Sequence, residues 1–391
     1  MRILLFTTSK ISEKSSSWLL LKQMIDRLTN HEVIIFNPMS FRKFNNGFQT
    51  NEVIHYFFFL DNILIRKLIN KTWKKLNLYL DLYHSRLLSK RIHKIILNKS
   101  IDKIWIYNDM LTVLTLNKLL EQINIPYHIS IFDDLLFNKT FTIYGNKLKN
   151  NFISLLKKSY SIDVIVPEQK EYYVENGLIN SQHLTGFTYG GCFKKSISEG
   201  VIIKNEVKKI CLTGNIFGID SFLIFLSAIE DICLNRSIKI DIFTNQNILT
   251  KQILKMRLAR YSQFVNIKKF IPSKEIISTI SNYDLAYLQV SFSDTDKHKA
   301  ITSFPSKTHN YLASTVPILL HSPNYAAVSK FLRENNLCYP IDTIDPSEIK
   351  NNFMKILNQN KRIEIHESIK YFNKKSDANK HFEDLIKILE S

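Results

Sequence analysis

Ser306, Lys307 and Asn310 stand in a stretch whose residue types could hold a phosphate anion. The run is Ser303-Phe304-Pro305-Ser306-Lys307-Thr308-His309-Asn310-Tyr311-Leu312-Ala313-Ser314-Thr315-Val316-Pro317-Ile318-Leu319-Leu320. Pro305 suits a first helical position, where its missing N–H costs nothing and its φ is already helical. Ser303 is then the expected N-cap. Free N–H groups at that helix start, beside the Ser306 hydroxyl and the Lys307 ammonium, form an anion site. The apolar run Val316–Leu320, with Pro317 near its start, reads as a buried strand of a parallel sheet. Loop, helix start and strand together point to a nucleotide-diphosphate ligand.

The remaining residues capable of chemistry give weaker patterns. Asp294-Thr295-Asp296 resembles a divalent-metal pair, but the loop around it is solvent-like in composition, and no metal is expected there. His298, His309 and His321 lack metal-ligand spacing, and His309 is expected at the surface. Cys192, Cys211, Cys233 and Cys338 are far apart, with Cys211 in an apolar run, and fit a reducing cytoplasm.

Elements that could position these residues alternate along the chain. Arg2–Phe6 and Glu32–Phe36 read as strands around a helix at Trp18–Leu28, which opens a doubly wound parallel sheet. Thr7-Thr8-Ser9-Lys10 stands where a Gly-rich dinucleotide turn would be, which argues against a nicotinamide-dependent dehydrogenase. Strands at 101–107, 127–132 and 163–166 alternate with helices at 111–122, 147–159 and 168–176, the last closed by Gly177. A weakly periodic, Gly-containing stretch from Phe187 to Gly200 marks the boundary between domains at 1–195 and 196–391. A second wound unit follows, with strands at 208–212, 238–244, 265–271, 284–290 and 338–341. Thr213-Gly214-Asn215 is read as a tight turn, and the segment before Thr302 as a polar loop. The C-terminal helices are expected to pack back on the first domain.

The formal net charge is +18, from 53 Lys and Arg against 35 Asp and Glu. Such a balance attracts acidic partners, although Lys, Asn and Ile are abundant throughout. Residues 56–97 read as basic helix interspersed with aromatics, a face that could rest on an anionic membrane. The same residues also fit helices covering a sheet with their Lys and Arg stems. No apolar run reaches the ~20 residues of a membrane span, and the apolar run at Met1 is too short for a signal peptide. No nucleic-acid recognition motif is present.

The second half resembles the nucleotide-binding domain of GT-B glycosyltransferases. Ile210-Cys211-Leu212-Thr213-Gly214-Asn215 is similar to the strand and Gly turn that open that domain, and Ile280-Ser281-Asn282-Tyr283-Asp284-Leu285-Ala286 to its helix-to-strand step. Phe304-Pro305-Ser306-Lys307 with Asn310-Tyr311-Leu312-Ala313 resembles its Pro-Ser-Lys and Glu-Tyr-Leu-Ala element, followed by Val316-Pro317-Ile318-Leu319. The first half matches only as a generic α/β domain.

The resemblance implies two Rossmann-like doubly wound parallel-sheet domains facing a cleft, and a nucleotide-sugar donor bound by the second. Gly214, Asn215, Phe304, Ser306, Lys307 and Asn310 would bind the donor, with Gly214 letting the backbone approach it. Lys307 would neutralise charge on the departing diphosphate, with no metal and no cofactor beyond the donor. Thr302 and Asn310 stand where many relatives carry two Glu residues. Asp133, beside Asp134 after a predicted strand, could accept a proton from an acceptor hydroxyl, or the pair could cap the next segment.

The expectation is a cytoplasmic transferase, peripheral at the inner membrane face, moving a sugar to a glycan or lipid-linked acceptor in surface polysaccharide synthesis. Its alternative is a non-catalytic subunit that binds sugar nucleotide or glycan. Nucleic-acid binding through the basic helices lacks a motif, and a sugar-nucleotide epimerase lacks identifiable acidic and His residues.

Overall fold

Short runs rich in Ile, Val, Leu and aromatics, buried on both faces, make parallel strands. The computed structural model describes the chain except residues 8–15, 38–51, 56–73, 108–109, 121, 133–135, 137–138, 191–200, 245–247 and 377. It divides into two units, one of Met1–Gly191 with Asn379–Ser391, the other of Cys192–Ala378.

In the N-terminal unit the strands are Arg2–Phe6 (β1), Glu32–Asn37 (β2), Glu52–His55 (β3), Lys103–Tyr107 (β4), Tyr127–Ser130 (β5), Ser161–Val164 (β6) and Leu184–Phe187 (β7). They form a seven-stranded parallel sheet in the order β3-β2-β1-β4-β5-β6-β7. The helices are Ser16–Ile25 (α1), Lys74–Lys99 (α2), Met110–Leu119 (α3), Lys139–Lys158 (α4) and Pro167–Glu175 (α5). Leu88 and Ile92 of α2, Leu116 of α3 and Phe152 of α4 join Phe6, Phe36, Ile106 and Ile129 in one core. These three helices therefore cover the same face of the sheet.

The C-terminal unit repeats the architecture. Its strands, Lys209–Thr213 (β8), Lys239–Phe243 (β9), Val265–Lys268 (β10), Leu285–Gln289 (β11), Ile318–His321 (β12) and Cys338–Ile341 (β13), form a six-stranded parallel sheet ordered β10-β9-β8-β11-β12-β13. The order reverses between β8 and β11, and ligands bind open sheets of this kind beyond the carboxyl ends of strands at such a point. Helices Ile219–Asn235 (α6), Ile248–Leu258 (α7), Ile276–Ile280 (α8), Lys297–Thr302 (α9), Lys307–Ser314 (α10), Ala327–Glu334 (α11), Pro346–Ile356 (α12) and Gln359–Lys375 (α13) complete it. Asp284 anchors the start of β11 by accepting the Lys208 and Lys209 N–H groups, each at 2.8 Å.

The last helix, Ala378–Glu390 (α14), belongs almost entirely to the N-terminal unit. Lys103 Nζ donates to the Leu389 carbonyl at 2.8 Å, the Arg27 guanidinium lies 4.1 Å from the Phe382 ring centre, and His31 meets Glu390 at 2.6 Å. A side chain at Gly186 would collide with Asp163 Oδ1 and approach Leu385 to 2.8 Å, so glycine lets α14 lie close to β7.

Several elements differ from the sequence reading. Strands β3 and β7 were not expected, and the expected helix at 56–97 lies partly outside the described residues, with α2 starting at Lys74. The expected loop before Thr302 holds a 3₁₀ turn at Asp294–Asp296 and then α9. Helix α10 starts at Lys307, two residues after Pro305. Ser303 is not its N-cap; the Ser303 hydroxyl donates back to the Lys299 carbonyl at 2.5 Å and closes α9 instead.

Candidate functional site

The Gly214 turn follows β8, the strand on one side of the switch point. Gly214 has φ +78°, a left-handed conformation that favours glycine, and its N–H donates to the Phe243 carbonyl at 2.7 Å. A Cβ at Gly214 would meet nothing within 4 Å, so backbone conformation alone requires the glycine. Four residues on, Gly218 has φ +73°, and a Cβ there would lie 2.7 Å from Ser291 Cβ. Gly218 is thus fixed by conformation and by space. Its carbonyl accepts from Gln289 Nε2 at 2.8 Å, which ties the start of α6 to the end of β11.

Helix α10 brings Lys307 to this turn. Lys307 Nζ donates to the Asn215 carbonyl at 3.1 Å. The residue is 7 % exposed, and burial pulls its ammonium down to about 8. A desolvated cation with one neutral carbonyl partner is poised to gain from an incoming anion. No side chain caps the start of α10, which leaves positive helix-end polarity beside the amine. Ser306 is exposed next to Lys307, Asn215 is exposed, and Asn310 is half-buried on the following turn.

Tyr311 fixes the helix to the turn. Its phenol oxygen accepts the Thr213 N–H at 2.9 Å and the Thr213 hydroxyl at 3.2 Å, and donates to the Tyr287 carbonyl at 3.2 Å. Burial pushes its pKa well up, so it stays a donor. Tyr311 lies one turn beyond Lys307, on the same helical face. Neither Tyr311 nor Gly218 was among the expected site residues. The Gly-x-x-x-Gly spacing of Gly214 and Gly218 was the available signal for the second, whereas Tyr311 reaches Thr213 across 98 residues of sequence and Tyr287 across 24.

The structure thus brings Gly214, Asn215 and Lys307 together, with Ser306 beside them. Phe304 is buried, its ring 5.6 Å from His309 and 5.3 Å from Phe331, so it packs the base of the helix rather than facing outward. Thr302 is buried too, and its hydroxyl donates to the His298 carbonyl at 3.0 Å. His309 is buried rather than at the surface. His321 is also buried: Tyr287 O–H donates to its Nδ1 at 2.9 Å, and its Nε2–H donates to the Thr343 carbonyl at 3.0 Å. Among the described residues no group of three or more His, Cys, Asp or Glu is placed to hold a metal ion. Asp133 and Asp134 lie outside the described residues.

No protein-family model matches the sequence, and no curated protein matches it either. Solved structures do match, over the whole chain. The E. coli trehalose-6-phosphate protein bound with UDP-2-fluoro glucose superposes with TM-score 0.69 and 10% identity, covering 100% of this chain and 99% of that one. A glycosyltransferase from Rickettsia africae gives 0.62 and 11%, covering 100% and 97%. WaaG, a glycosyltransferase involved in lipopolysaccharide biosynthesis, gives 0.62 and 10%, covering 99% of each. The chain has the GT-B fold. At these identities the likeness is one of fold, and function rests on the site.

Proposed function

We propose that the chain is a glycosyltransferase that takes a sugar from a nucleotide-diphosphate-sugar donor bound by the C-terminal unit. The observation that carries this reading is the buried Lys307 ammonium, held at the open start of α10 and 3.1 Å from the Asn215 carbonyl of the Gly214 turn. In this reading Gly214, Asn215 and Ser306 receive the diphosphate, and Asn310 hydrogen-bonds a ribose hydroxyl. Phe304 supports the element from within. Lys307 and the helix start offset the negative charge that grows on the departing nucleoside diphosphate as the glycosidic C–O bond breaks. That role needs no resident metal, so turnover is expected to persist in a chelator. Asp133 is proposed as the base that takes the acceptor proton, and the acceptor as a glycan or lipid-linked sugar of surface polysaccharide synthesis. The neighbours named for UDP-2-fluoro glucose and lipopolysaccharide biosynthesis support a hexosyl donor and this acceptor class. A cytoplasmic location with peripheral membrane attachment completes the proposal.

A second reading, a non-catalytic sugar-nucleotide or glycan-binding subunit, is favoured by one observation. Thr302 and Asn310 provide no carboxylate, and the Thr302 hydroxyl is occupied by its own helix. Nucleotide release from a panel of sugar nucleotides, with and without glycan acceptors, separates the two. Release by the wild type that is lost in Lys307→Ala supports the transferase. Binding without release across the panel supports the subunit.

A further inference from the structure

The helices α2, α3 and α4, which cover one face of the N-terminal sheet, carry seven, one and five Lys or Arg residues and a single acid, Asp81. Asp81 is buried, so the outer surface of these helices shows no acidic side chain of their own. At the chain's frequency of acids, 35 in 391 residues, helices of this combined length would carry about five. Arg86, Lys90 and Lys94 recur at four-residue spacing along α2, and all three are exposed. The opposite face of α2, with Leu88, Ile92, Ile95 and Ile96, is in the core.

Two apolar side chains flank that cationic row. Tyr83 is 53% exposed and Leu97 68% exposed, and their spacing along α2 places them on the same side as the cations. A polyanion in water would gain from the cations but nothing from Leu97. A bilayer uses both, because anionic headgroups attract the Lys and Arg row while apolar and aromatic groups enter the interface. We propose that this face of the N-terminal unit docks on an anionic phospholipid bilayer, with Arg86, Lys90 and Lys94 over the headgroups and Tyr83 and Leu97 in the interfacial layer. The surface gives the peripheral attachment proposed above a location. It belongs to the N-terminal unit and the Lys307 site to the C-terminal one, so vesicle binding and nucleotide binding can fail independently.

The test is flotation of the full chain with phosphatidylcholine vesicles, with and without phosphatidylglycerol. The wild type is expected to float only with the anionic vesicles and to be released at about 0.5 M salt. Arg86→Gln/Lys90→Gln/Lys94→Gln should weaken partition about a hundredfold, from roughly a fivefold loss per cation. Tyr83→Ser/Leu97→Ser should weaken it several-fold. All five positions are exposed, and unchanged circular dichroism and nucleoside diphosphate binding show that each variant is folded. Equal flotation with neutral vesicles, or unchanged partition of the Gln variant, overturns the proposal. So does full binding by the Ser variant together with equal capture of generic RNA, which would make the face a polyanion site instead.

Discussion

Ligand-free, the Lys307 amine titrates near pH 8 because burial disfavours its charge, and a diphosphate bound as proposed would restore the charged form. Nucleotide binding should therefore draw a proton from solution. At pH 8 about half of the molecules lack that proton, so binding takes up about half a proton. The second ionisation of a phosphate, near pH 6, is complete by then and contributes little. Between pH 7 and 9 the charged fraction falls from about nine-tenths to about one-tenth, so affinity should drop about tenfold, or ~1.4 kcal/mol. The assay is calorimetry of UDP binding at pH 8 in two buffers of different ionisation enthalpy. The apparent enthalpies should differ by half the buffer difference in the wild type, and by nothing in Lys307→Arg, whose charge is permanent. Buffer-independent enthalpies in the wild type, or the same pH dependence in Lys307→Arg, would refute the reasoning. The same burial costs stability: with the folded pKa below the unfolded value, the ligand-free protein gains up to ~3 kcal/mol as pH rises from about 8 to 10.5.

Tyr311→Phe removes the acceptor of the Thr213 N–H and is expected to cost about 1–3 kcal/mol in denaturant unfolding, with a larger rise in donor KM than fall in kcat. Gly218→Ala places a methyl against Ser291 at a positive φ, and a loss of roughly 1–3 kcal/mol is expected in the same assay. His321, with its pKa lowered to about 4 by burial, favours the neutral ring in the fold. Its contribution is therefore full above about pH 6.5 and falls by up to ~3 kcal/mol toward pH 4. His321→Gln, which cannot take a proton, should show a shallower loss over that window by urea titration.

Hydrophobic runs made much of the fold legible. Continuous apolar segments such as Val316–Leu320, where the strand Ile318–His321 lies, marked parallel strands, and their alternation with helices marked two wound sheets. What was missed had weak local signals. Strand β3 is four residues beside a basic stretch, and β7 contains Gly186, retained for the approach of Asp163 and Leu385 rather than for strand propensity. The buried polar group of Trp105, His128, Ser130, Ser161 and Asp163 links three strands and has no sequence spacing to reveal it. In the candidate site, the meeting of Lys307 with the Gly214 turn was suggested by residue type and turn chemistry. Tyr311 reads locally as one more core aromatic, and only the sheet order brings Thr213 and Tyr287 to its hydroxyl.

The proposed activity depends on Lys307 and the Gly214 turn forming a diphosphate site. Equilibrium titration of the wild type and Lys307→Ala with UDP, GDP and ADP at pH 7 measures this directly. Saturable binding of at least one nucleoside diphosphate is expected, weakened at least tenfold in Lys307→Ala with the fold retained. Absence of binding by the wild type, or equal binding by both proteins, would contradict it.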